Sequence, residues 1–302
     1  MAPSAPPIVY LLALAPALLW GFQPVLSKRG MDAGGSPLQA SLVVVVVDTG
    51  LFWSALAVQS VLSGRGLFPG LTLETLGLFL VAGLVGTALG RITAFAGVER
   101  LGASVNSAAL SARPLFATML AVGLISETVT VVTLTGVVVL VGGLVVLSTS
   151  KGGDLRGWEP RDLLFPLGSA LSFALGNVIR RYGLQATPTT ALEAVALNEI
   201  AAMAALVGFA LARDRTDVLR APQRTYAYFA GSGTLTALAL LSVFAALAHP
   251  AGRVVIVDPL AATAPLFTVL FANFLLGDLE RVTRRVAMGA ALIVAGAALV
   301  TI

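Results

Sequence analysis

Charged positions along this chain are sparse, and between them stand ten apolar runs. They fall at about 8–27, 37–62, 73–98, 102–125, 129–149, 162–182, 188–212, 225–248, 252–276 and 282–302. Each has about the twenty residues that cross ~30 Å of hydrocarbon at 1.5 Å per residue. The runs are solidly apolar, with scattered Gly and Ala and no period-two alternation, so they predict helices rather than the strands of a barrel. The breaks are short and turn-rich, as at Gly34-Gly35-Ser36-Pro37 and Ser63-Gly64-Arg65-Gly66. The longest polar connection at the centre, Ser150 to Asp162, falls midway along the chain.

Composition turns this pattern into a class. Of 302 residues, 57% are hydrophobic and 11% charged, against roughly 25% charged in a soluble domain. With a mean hydropathy of +0.94, the expectation is a polytopic helical membrane protein. The first run, Ile8 to Ser27, is too long for a signal-peptide core, and no positive charge precedes it, so it reads as a retained span.

The two halves echo each other. Pro114-Leu115-Phe116 opens a run that ends at Glu127, and Pro265-Leu266-Phe267 opens one that ends at Asp278, thirteen residues from Pro to acid both times. Trp20 to Lys28-Arg29-Gly30 aligns with Phe173 to Arg181-Tyr182-Gly183, Pro37 with Pro188, and Gly136 and Gly143 with Gly289 and Gly296. The reading is an all-α protein of ten transmembrane helices in two five-helix repeats, 1–150 and 151–302, forming one transport domain. An odd number of spans per repeat inverts the second relative to the first.

Polar groups inside lipid are costly, so each is a candidate for function. Asp48 and Glu199 follow Pro37 and Pro188 by eleven residues each, which makes them repeat equivalents. They are candidates for proton carriage or for an intramembrane ion pair with Arg91 or Arg113. Trp20, Gln23 and Ser27 share one helix face, as do Phe173, Asn177 and Arg180. An aromatic ring plus an amide on equivalent helices suits an organic solute with polar ends. Arg91 and Phe95 share a face, and Arg113 beside Pro114 can grip a carboxylate bidentately. Together the arginines favour zwitterionic or anionic solutes. Pro114 and Pro265 each remove a backbone hydrogen bond and are candidate gating hinges, static kinks being the other reading. Gly83, Gly86 and Gly90 lie along one side of their segment and predict close helix packing.

Other chemistries lack equipment. There are no cysteines and one histidine, His249, and neither HExxH nor GxSxG occurs. An enzyme, a metal site and a cofactor are therefore not expected. The net charge of +4 reads as arginines anchoring loops rather than as a nucleic-acid surface.

The ten spans, the five-plus-five repeat, Trp20-Gly21, the paired Pro-Leu-Phe openings and the closing acids resemble the EamA family of the drug/metabolite transporter superfamily. The resemblance covers essentially the whole chain. It implies a secondary transporter, commonly an exporter of amino acids or related metabolites, in the bacterial cytoplasmic (inner) membrane. Sugar, nucleotide-sugar and drug carriers of the superfamily are the alternative. It further implies a central cavity lined by segments 1, 3, 4, 6, 8 and 9, which points to Trp20, Gln23, Arg91, Phe95, Arg113, Asn177 and Asp258. The expected partners are a small solute, protons and the lipid bilayer.

Orientation is open. Loops after odd-numbered segments hold thirteen Lys or Arg and those after even-numbered ones four, which places both termini outside the cytoplasm by the positive-inside rule. The resemblance implies both termini inside.

Overall fold

The computed structural model describes residues 5–149, 159–213, 220–275 and 284–302, and among these every regular element is a helix. In chain order they are α1 (Pro7–Asp32), α2 (Pro37–Ser63), α3 (Leu73–Val81), a π-helical stretch (Ala82–Leu89), α4 (Gly90–Leu110), α5 (Arg113–Ile125) and α6 (Val131–Thr149). A 3₁₀ turn (Pro160–Leu163) then leads into α7 (Leu164–Ala186), α8 (Ala191–Ala212), α9 (Gln223–Ala248), α10 (Val254–Ala261), α11 (Ala264–Leu275) and α12 (Arg284–Thr301). Among the described residues, seven continuous helices are long and apolar enough to cross a membrane, and three shorter apolar helices, Arg113–Ile125, Val254–Thr268 and Met288–Thr301, bring the number to ten.

Local chemistry sets the helix starts. Ser36 and Gln39 form a capping box before α2, with Gln39 N donating to Ser36 Oγ at 3.2 Å and Ser36 N to Gln39 Oε1 at 2.8 Å. Thr190 and Glu193 do the same before α8, so Glu193 is occupied as a cap. Two predicted boundaries move. The break expected at 99–101 lies inside helical backbone, and the helix instead stops at Ser111–Ala112, ahead of Pro114. Asn106 nevertheless folds back against Gly97. A straight helix would hold those residues about 13 Å apart, so the chain bends sharply between them. Segment 9 is likewise interrupted at Ala262–Thr263, ahead of Pro265.

The helices present apolar side chains outward, with Leu11, Val61, Leu73 and Val131 at least 65% exposed, and they bury polar groups inward, which is the arrangement lipid demands. Close approaches are made at glycines. A Cβ on Gly86 or on Gly176 would meet the other's Cα at 2.5 Å, so the π-helical stretch and α7 cross backbone to backbone. Gly83 abuts Asn198 O and Gly90 abuts the Phe173 ring, which makes this small-residue face a packing surface against two different helices. Along the antiparallel α6–α12 pair, Gly136 meets Gly296 and Gly143 meets Gly289. Helix α1 packs on α9 and α11, while α7 packs on α4, the π-helical stretch and α5, and α2 packs against α8.

Candidate functional site: an arginine-walled cavity

A cavity of about 660 Å³ lies among α1, α2, the π-helical stretch, α4, α5, α7 and α9. It reaches from Arg113 and Asn177 in mid-bundle to Met31 and Pro37 beside the 33–36 loop. Both faces predicted from helical spacing point into it: Trp20, Gln23 and Ser27 on α1, and Phe173, Asn177 and Arg180 on α7. Pro24, also on the wall, cannot hydrogen-bond the Trp20 carbonyl one turn back. Gln23 Nε2 donates to Ser27 Oγ at 2.9 Å, and Ser27 in turn pairs with Ser232 at 3.1 Å.

Arg91, Arg113 and Arg180 supply the charge on this wall, and among the described residues no carboxylate lines it. The carboxylates stand behind the arginines. Asp48 and Glu199 are both fully buried and face the same guanidinium, with Arg91 Nη2 3.8 Å from Asp48 Oδ2 and 4.0 Å from Glu199 Oε2. Of the two counter-cations expected for this pair, the fold supplies Arg91. Arg113 instead donates from Nε to Asp258 Oδ2 at 3.2 Å.

Between these pairs runs a continuous set of hydrogen bonds. Glu199 Oε1 accepts from Asn198 Nδ2 at 2.7 Å and from Thr87 Oγ1 at 3.3 Å. Arg180 donates to Asn198 Oδ1 at 3.0 Å, to Thr87 Oγ1 at 2.7 Å and to Asn177 Oδ1 at 2.7 Å. Asn177 Nδ2 then donates to Asp258 Oδ1 at 2.5 Å. Three arginines against Asp48, Glu199 and Asp258 sum to zero when all are ionised, so no net charge is buried. At the Arg91 end three atoms remain unsatisfied: Asp48 Oδ2, Glu199 Oε2 and Arg91 Nη1 are buried without a hydrogen-bond partner. Low solvent access makes such groups costly unless something completes them.

The structure thus places Trp20, Gln23, Arg91, Arg113 and Asn177 on the wall. Asp258, expected to line it, is 1% exposed and sits behind Arg113, because α10 turns it toward α5 and α7. Asn106 is buried away from the cavity against Gly97. The side chain of Phe95 lies outside the described residues. Pro114 and Pro265 are each the second residue of a helix, after the breaks at Ser111–Ala112 and Ala262–Thr263, rather than interior kinks. Thr87 and Asn198, neither of them ionisable, complete the network beside the expected residues. The signal available for both was a hydrogen-bonding side chain deep in an apolar run.

At the far end of the bundle a second cluster ties four helices together. Arg181, next to Arg180 but turned away from the cavity, donates to the carbonyls of Leu247 (2.7 Å), His249 (2.7 Å) and Pro250 (2.8 Å). Glu127, 3.8 Å from Arg181, caps α10 by accepting from Val254 N at 2.8 Å and Val255 N at 3.0 Å. Burial pushes the Glu127 carboxyl above its ordinary value, more than those amides and Arg181 pull it down.

Relatives agree with this architecture. A solved crystal structure superposes over 97% of this chain and 98% of its own with a TM-score of 0.76 at 18% identity, a likeness of fold. An uncharacterized transporter of Clostridium kluyveri is 27% identical over 146 residues, 48% of this chain, and the match spans a little under half (45%) of that relative's length. The family model of EamA-like transporters matches twice, over residues 7–149 and again over 161–302, and on that double match the chain belongs to the EamA-like transporter family.

Proposed function

We propose that the protein is a secondary transporter that exports amino acids or related small metabolites from bacteria by alternating access through this cavity. The observation that carries the reading is the cavity itself: an aromatic and guanidinium wall built by helices from both family repeats, α1, α2, the π-helical stretch, α4 and α5 from one and α7 and α9 from the other. Its volume of about 660 Å³ lies within the range of small-molecule sites.

Two packing patterns support inverted halves. Gly136 and Gly143 are the repeat equivalents of Gly289 and Gly296, and each touches the equivalent of the other. A twofold axis in the membrane plane relates antiparallel neighbours in that way. The partner exchange, α1 on α9 and α11 matched by α7 on the π-helical stretch, α4 and α5, follows the same rule. In this scheme the breaks before Pro114 and Pro265 are the hinges. Asp48 and Glu199, repeat equivalents that share one guanidinium, are the coupling pair.

Flux of radiolabelled amino acids and their keto and N-acetyl derivatives into proteoliposomes tests the proposal. Saturable flux above empty vesicles, reduced at least about tenfold by Trp20→Ala with Arg113→Gln, is expected. Flux no greater than in empty vesicles across the panel overturns it.

A further inference from the structure

The charged groups described on the cavity wall are all hydrogen-bond donors, and the acceptors there are neutral. The wall's charged groups among the described residues are three guanidiniums. The carboxylates that balance them are at most 1% exposed and stand behind them. Of the neutral side-chain oxygens on the wall, three are already engaged. Asn177 Oδ1 accepts from Arg180 at 2.7 Å, Thr87 Oγ1 accepts from Arg180 at 2.7 Å and from Asn198 at 3.0 Å, and Ser27 Oγ accepts from Gln23 at 2.9 Å.

A ligand ammonium entering this space would lose its water, meet like charge and find no carboxylate to pair with. An anionic group would meet planar forks of donors. Arg91 and Arg113 are the arms free to receive it. Arg91 approaches Asp48 and Glu199 at 3.8 and 4.0 Å in ion pairs without hydrogen bonds, and Arg113 commits one donor, Nε, to Asp258. Trp20, Phe173, Leu240 and Val243, on the same wall, offer an apolar surface for the rest of a solute.

On the reading that this cavity carries the transported solute, we propose that the solute is a net-anionic organic acid. Its acidic group pairs with Arg91 and Arg113, and its apolar body lies against Trp20 and Phe173. Acidic amino acids, N-blocked amino acids and keto or hydroxy acids belong to the class. Neutral zwitterionic amino acids and amines do not.

The test uses the purified full-length protein and two matched series, each varying only the charged groups on a fixed carbon frame. One is 3-phenylpropionate, phenylalanine and phenethylamine; the other is 4-methylpentanoate, leucine and 3-methylbutylamine. Calorimetric titration in detergent should rank the carboxylate at least about tenfold tighter than the amino acid in each series, with the amine not binding. An amino acid or amine that binds as tightly as its carboxylate overturns the proposal. Proteoliposome flux separates this failure from the broader one. Flux of phenylalanine, leucine or an amine ahead of the carboxylates overturns the charge assignment and leaves the transporter standing, whereas neither binding nor flux for all six probes overturns both.

Discussion

Arg113 donates from Nε to Asp258 Oδ2 at 3.2 Å, and Asp258 offers the cavity almost no surface of its own. The same carboxylate accepts from Asn177 at 2.5 Å, so it fixes two wall side chains carried by α5 and α7. Asp258 acts on a solute through Arg113 and is a positioning residue. Asp258→Asn keeps the shape and the amide contact but leaves the Arg113 guanidinium without its counter-charge, a loss on the order of 3 kcal/mol. In flux assays KM should rise at least about tenfold while kcat changes much less. An unaltered KM would show that Arg113 needs no such anchor.

Arg91 stands between two fully buried carboxylates on α2 and α8. Arg91→Gln strands both, and breaking a buried pair in this way costs about 3–5 kcal/mol. The cost belongs to charge rather than shape, so adding Asp48→Asn and Glu199→Gln to Arg91→Gln should recover most of the lost melting temperature in detergent. A triple variant no more stable than Arg91→Gln alone would assign the loss to packing.

Two of these residues, Asp48 and Glu199, carry the coupling reading. If they exchange a proton during transport, an imposed pH gradient should drive solute accumulation in proteoliposomes of the native protein. In the Asp48→Asn, Glu199→Gln variant it should not, while downhill flux persists. Native flux indifferent to the gradient would remove coupling and leave facilitated transport.

Much of this site was legible in the sequence, for reasons that differ by residue. Asp48 and Glu199 stood out because two acids at equal distance from two prolines, inside apolar runs, have no cheap structural explanation. The faces of Trp20, Gln23 and Ser27, and of Phe173, Asn177 and Arg180, followed from helical period alone, and the cavity uses both. Asp258 was misplaced because period gives a residue's face but not which neighbour that face meets. Here α5 and α7 meet it before the cavity does. The boundary near 99–101 was lost because the backbone stays helical there while the chain bends back, bringing Asn106 to Gly97. The π-helical stretch at Ala82–Leu89 had no signal. It sits where Gly86 crosses Gly176, a contact between segments far apart in the chain.

That crossing yields a stability prediction. A methyl group on either glycine would stand 2.5 Å from the opposing Cα, and backbone on both sides leaves nothing flexible to yield. Gly86→Ala or Gly176→Ala should destabilise the protein by about 1–3 kcal/mol and shift Thr87 and Arg180, which flank the crossing. Gly50, with nothing within 4 Å of its Cβ position, is the control and should accept Ala with no loss. Equal melting temperatures for Gly86→Ala and Gly50→Ala would refute the backbone contact.

Glu127 gives the pH dependence. Its carboxyl is held above the ordinary value, chiefly by burial, so the folded protein binds a proton there more tightly than the unfolded chain does. Such a group contributes stability that is complete below the unfolded pKa, about 4.3, and is lost as pH rises through the folded value. Glu127→Gln removes the titration while keeping an oxygen for one of the Val254 and Val255 amides. The native protein should therefore gain stability relative to Glu127→Gln as pH falls from 7 toward 4, and the difference should level off once the carboxyl is fully protonated. Thermal unfolding of both proteins in the same detergent across that range measures it. A difference that grows in favour of Glu127→Gln on acidification would mean that the amides and Arg181, 3.8 Å away, outweigh burial at this cap.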